Sequence, residues 1–154
     1  MKLGAAILAA LLVAGCSSTV TMKPSTVSTT AAAKETTILA SEGGVLRPIA
    51  NGGRVALRSG WATVRLSPTR VDQDGQLEVS VFDADGRPAT AEVSVDYVSM
   101  DMDHGHTMEH GVFHEDCYRM PLSFVMPGSW RLVIHVARGG TDETVTLVLP
   151  DVGL

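Results

Sequence analysis

Cysteine is nearly absent from this 154-residue chain: only Cys16 and Cys117 occur, which excludes a disulfide framework. Basic clusters are missing too. With a formal net charge of -5 and no local run of Lys or Arg, a phosphate backbone would be repelled, so nucleic acid is not an expected partner. No apolar run reaches the roughly 18 to 20 residues that a membrane-spanning helix needs. No stretch holds helical periodicity over three turns. The sequence also lacks a GxSxG elbow, an HExxH helix, a P-loop and a GxGxxG turn, and its carboxylates do not suggest an acid and base pair, so an enzyme is not expected.

What is present begins with Met1-Lys2 and the uncharged apolar stretch Leu3 to Val13, the anatomy of a secretory signal over residues 1–15. The stretch stops at Gly15-Cys16 and passes into Ser, Thr and Lys. Val13-Ala14-Gly15-Cys16 resembles the bacterial lipobox, in which small residues admit the signal peptidase and the cysteine thiol accepts diacylglycerol. The competing reading is an ordinary cleaved signal with a coincidental cysteine. The lipobox reading predicts an exported protein held on a membrane by lipid on Cys16, facing the periplasm or the cell exterior. Ser17, rather than Asp, at the next position resembles lipoproteins sent to the outer membrane, where the host has one. Lipidation of Cys16 leaves Cys117 without an intramolecular partner.

Residues 16–154 fit one domain plus a tether. Residues 16–37 are rich in Ser, Thr and Ala with no apolar periodicity, and read as a flexible tether. About 20 such residues reach on the order of 25 Å, enough to lift a domain clear of lipid head groups. The span 38–53, broken by Gly43-Gly44, Pro48 and Gly52-Gly53, offers at most one edge strand. From Arg54 to Leu154 the pattern is one of short runs alternating with period two, separated by Gly, Pro and Asp every ten or so residues. Ala62, Val64 and Leu66 share one face, as do Leu77, Val79 and Val81, and then Val93, Val95 and Tyr97. Further runs follow at 118–124, 130–136 and 144–149. The pattern predicts an all-β domain of six or seven strands, an immunoglobulin-like two-sheet sandwich. Trp61 and Trp130 are expected to pack in the core or against a sheet, and His135 to sit in the polar register of its strand.

The segment Met100 to Cys117 carries the chemistry. It holds four of the five histidines, three of the seven methionines, five carboxylates, and no Lys or Arg. Such a loop attracts cations. Thioethers suit Cu(I) and imidazoles suit Cu, Zn and Ni, so the mixture points to copper first. Zinc sites lean more on Cys, His and carboxylate. In an extended chain, residues two apart share a face, which pairs Met100 with Met102 and His104 with His106. Met100, Met102 and His104 are the expected core of the site, with His106, Met108 and His110 as candidates to complete it. Gly105 and Gly111 are expected to let the backbone curl around an ion, and Val112 and Phe113 to pin the loop's end to the core. The bland alternative is a solvated hairpin whose methionines fold back as loose packing and whose histidines merely titrate.

Several features together resemble the YtkA-like and FixH-like domains: Gly60-Trp61; Gly75-Gln-Leu-Glu-Val-Ser-Val with Asp85-Gly86-Arg-Pro88; Ala91-Glu-Val; Met100 to His104; Tyr118; and Phe124-Val-Met-Pro-Gly-Ser-Trp-Arg-Leu. The resemblance spans residues 60–136. It implies a small exported or membrane-anchored β-sandwich associated with copper handling and with assembly of copper-containing oxidases. It carries over residue by residue only to Met100, Met102 and His104. Asp101 departs from the pattern where a proline is common, and Cys117 stands where a glycine often precedes the tyrosine, adding a candidate soft ligand. A copper-accepting protein or an oxidase-assembly partner is the implied protein contact. The alternative function is a metal-free β-sandwich serving as an interaction module in a membrane complex.

Overall fold

A computed structural model describes residues 37–67, 70–103 and 105–153. The signal peptide, Cys16, nearly all of the tether, and His104 lie outside the described residues. Eleven strands form: β1 (Ile38–Glu42), β2 (Val45–Ile49), β3 (Gly53–Leu57), β4 (Gly60–Ser67), β5 (Asp74–Asp83), β6 (Glu92–Ser99), β7 (Thr107–His110), β8 (Val112–His114), β9 (Cys117–Ser123), β10 (Gly128–Arg138) and β11 (Thr141–Val152). One sheet runs β2-β1-β11-β10-β6-β7, the other β3-β4-β5-β9-β8, and neighbouring strands are antiparallel throughout. The domain is the expected two-sheet sandwich.

Alternation does most of this work. Ala62, Val64 and Leu66 of β4 and Leu77, Val79 and Val81 of β5 are buried, and they face Val93, Val95 and Tyr97 of β6 and Leu132, Ile134 and Val136 of β10 across the interior. Slipping any of these strands by one residue would turn its whole apolar set toward water, so the register is strongly specified. Eleven strands form where six or seven were expected for two reasons. First, residues 38–53 yield a hairpin of β1 and β2 closed at Gly43-Gly44, plus the start of β3, rather than a single edge strand. Second, the Met/His segment contributes β7 and β8, which occupy one outer edge of each sheet.

The aromatic centre of the core is Trp130, packed edge-on against Phe124 at 5.1 Å and tilted against Tyr97 at 6.1 Å. Its indole Nε1 donates to the Met126 carbonyl at 3.2 Å. Trp61 instead packs on the outer face of the five-stranded sheet, stacked on Phe82 at 5.4 Å with the Arg54 guanidinium 4.7 Å from its ring. Glu143 at the start of β11 clasps the β3–β4 turn. Its carboxylate accepts from the Arg58 amide, the Ser59 amide at 3.2 Å and the Ser59 hydroxyl. Partial burial pushes this carboxyl up, but the Ser59 and Arg58 hydrogen bonds outweigh it and leave the pKa below the ordinary glutamate value.

Candidate metal centre

The segment that follows β6 is fastened at its root. Met100 N–H donates to the Ser129 carbonyl at 2.8 Å, and Ser129 N–H returns a bond to Asp101 Oδ2 at 2.6 Å. The Ser129 hydroxyl donates to the Pro150 carbonyl at 3.1 Å, tying the same turn to β11. A Cβ at Gly128 would lie 2.3 Å from Asp101 Oδ2, so only glycine admits the carboxylate this close. Met100-Asp101 and Pro127-Gly128-Ser129-Trp130 are therefore one interlocked unit, although 27 residues separate Asp101 from Gly128. Asp101, in the position where the resemblance favours proline, serves to hold the turn.

Beyond this root the side chains open to solvent. Met100 and Met102 both line one open cavity of about 360 Å³, together with Asp101, Asp103, Val98, Ser99 and Arg131. Two carboxylates against one guanidinium leave its wall negative by one charge. Both thioethers border this cavity, although residues 100–102 form a bend rather than the extended run that the expected pairing assumes. Asp103 Oδ1 accepts the Gly105 N–H at 3.3 Å. His104 lies outside the described residues.

His106, Met108 and His110 belong to a second group, along β7. Met108 is the cross-strand partner of Asp96, and His110 of Ser94. Directly opposed residues of an antiparallel pair project to one side, here the outer face that carries Ser94 and Asp96. His106 Nδ1 lies 2.9 Å from Asp96 Oδ2. Of the six candidates, the structure gathers two at the cavity and places three in a row beside it.

Exposure separates these methionines from ordinary ones. Met100, Met102 and Met108 are 55%, 56% and 55% exposed, whereas Met120 in the core is 0% exposed. Full burial of a Met side chain is worth about 1.5 to 3 kcal/mol, so each loop thioether forgoes on the order of 1 kcal/mol by standing in water. They do not fold back as loose packing.

Three expectations need correction. Gly111 does not curl around an ion: it marks the point where the chain leaves one sheet for the other, between β7 and β8. Its N–H donates to the Val93 carbonyl at 2.7 Å, and a Cβ there would lie 2.9 Å from that oxygen and 3.0 Å from Tyr118 Cβ. Val112 and Phe113 do not pin the loop's end in the core either, being 71% and 59% exposed, with Phe113 leaning on the Tyr118 ring at 5.1 Å. Lastly, Cys117 does not join the methionines. It lines a different cavity, with Arg65, Glu78 and Arg119 of the five-stranded sheet. There Arg119 Nε lies 3.2 Å from Glu78 Oε1, and the arginine's pKa is raised, chiefly by the neighbouring Cys117 sulfur.

Among the described residues, no three His, Cys, Asp or Glu side chains are grouped to hold a metal ion. A centre with three protein ligands drawn from the described part of this segment therefore needs its thioethers. One residue that sequence reasoning set aside, His135, shares the outer face with His110, as the strand register makes plain. No family model, no curated protein and no solved structure matches this chain.

Proposed function

We propose that this protein is a lipid-anchored extracytoplasmic lipoprotein that binds copper as cargo through its Met/His segment, for copper handling or delivery. The observation that carries the reading is the exposure of Met100, Met102 and Met108, three apolar side chains held in water, the last of them on the strand that also carries Glu109 and His110. Thioethers are soft, uncharged donors that favour Cu(I), and imidazoles with nearby carboxylates serve Cu(II). Met100, Met102 and His104 form the core of the donor set, and His106, Met108 and His110 extend it. An open, solvent-facing donor set favours exchange over storage, as delivery requires. The resemblance of residues 60–136 to YtkA-like and FixH-like domains supports the same reading. Anchoring through Cys16 would place the domain on the membrane surface, where a copper-accepting protein could meet it.

The test is equilibration of the purified protein with Cu(I) on a weak chromophoric chelator. Uptake of one equivalent, lost when all six side chains are replaced, is the expected result. Failure to take copper, or uptake indifferent to those replacements, refutes the reading. A second reading, a metal-free assembly module, is favoured by exposed Val112 and Phe113 on the edge strand β8. It predicts that V112S/F113S abolishes partner association while copper is never bound.

A further inference from the structure

His110 and His135 are far apart in sequence and adjacent in register. His110 on β7 and His135 on β10 are both cross-strand partners of Ser94 on β6, one from each side. Directly opposed residues project to one face, so three neighbouring strands carry His, Ser and His in a single row on the outside of the six-stranded sheet. Two strand spacings separate the flanking Cα atoms by about 9.5 Å. Two metal–nitrogen bonds of about 2 Å each take up close to half of that span, and the two imidazoles must lean inward to cover the remainder. Ser94 between them has a short side chain, which leaves the space over the middle strand open and offers a hydroxyl oxygen.

A second observation concerns ring orientation. Asp142 Oδ2 lies 3.4 Å from His135 Nδ1. A carboxylate on one imidazole nitrogen holds the proton there and turns the other nitrogen outward as a lone-pair donor, the usual support for a metal-binding histidine. The neighbouring His106 carries the same device, its Nδ1 held by Asp96 at 2.9 Å.

We propose that His110 and His135 form a second metal site that takes a divalent cation of the imidazole-preferring kind, Cu²⁺ more tightly than Zn²⁺. Asp142 acts as the positioning residue. The site lies outside the thioether cavity, shares only His110 with the extended donor set of the copper-delivery reading, and does not depend on that reading. Among the described residues no third His, Cys, Asp or Glu is grouped beside the pair, so water and the Ser94 hydroxyl fill the remaining positions, and the bound ion is exchangeable.

The experiment is titration of the tag-free full chain with Zn²⁺ and with Cu²⁺, using electron paramagnetic resonance for the latter. Two nitrogen ligands to Cu²⁺ are expected. His110→Gln and His135→Gln should each weaken both divalent ions by about 10-fold or more, and Asp142→Asn by about 10-fold, the usual size of a lost supporting hydrogen bond. Cu(I) affinity should change less than about twofold in His135→Gln and Asp142→Asn, which separates this site from the thioether one. Divalent affinity unchanged in His135→Gln overturns the proposal, as does divalent affinity lost in the Met100→Leu/Met102→Leu double variant. If that double variant loses Cu(I) yet keeps both divalent ions, the two sites are independent as proposed. If the native chain takes divalent ions but no Cu(I), the delivery reading fails and this one stands.

Discussion

Replacing Trp130 with alanine empties the centre of the sandwich. The side chain is 4% exposed and wedged between Phe124 and Tyr97, and its indole N–H satisfies the Met126 carbonyl. Truncating a buried Trp ordinarily costs about 3 to 5 kcal/mol. Two aromatic contacts at about 0.5 to 1.5 kcal/mol each and one hydrogen bond worth about 1 kcal/mol are lost within that sum, which places the expected value near its upper end. A domain of ordinary stability has about 5 to 15 kcal/mol in total, so the variant should be marginal. Urea denaturation followed by far-ultraviolet circular dichroism measures the loss through the shift of midpoint at constant slope. A loss below about 1 kcal/mol, a typical surface value, would refute the packing argument and imply that Trp130 contributes little to the core.

Asp101→Ala removes the acceptor of the Ser129 amide, and because that bond is solvent-exposed the global loss should be modest, about 1 kcal/mol. Amide exchange at residues 100–103 should nonetheless quicken clearly, and unchanged exchange would show that Asp101 does not fasten the segment. Cys117, 7% exposed, should label slowly with a thiol reagent in the folded protein and quickly in denaturant; fast labelling of the native state contradicts its burial. Glu143 has a depressed pKa in the folded state, so its contribution is complete above the unfolded glutamate value of about 4.3 and is lost as pH falls through the lower folded value. Glu143→Gln should therefore be less stable than the native protein at pH 7 and should differ little from it at the acid end; an equal difference at both extremes would assign the clasp to shape rather than charge.

The alternating runs were readable because each strand buries one face and wets the other, and that constraint writes itself into every second residue. Trp130 and the polar register of His135 were legible for the same reason. The strands β7 and β8 were not. Thr107–His110 and Val112–His114 contain no buried alternating set, and they are strands because the edges of β6 and β9 offer unpaired main-chain groups, which no side-chain pattern announces. Gly111 looked like a loop glycine because the change of sheet that requires it is a tertiary event. The same holds for Asp101, whose partner lies 28 residues away. The Met/His enrichment was visible at once, whereas its division into a thioether cavity and an outward histidine row depends on where β7 pairs. The row of His110, Ser94 and His135 arises only when three strands are set side by side.

The central claim is that exposed thioethers make this protein a Cu(I) carrier, and the most direct test is competition for Cu(I) between the protein and a chromophoric chelator, native against Met100→Leu/Met102→Leu. Leucine keeps the size and apolarity of methionine and removes only the sulfur, so folding should be nearly unaffected. The account predicts that the double variant loses at least about 10-fold in Cu(I) affinity, about 1.4 kcal/mol, with its denaturation midpoint unmoved. Equal affinity in the two proteins, within about twofold, would contradict it.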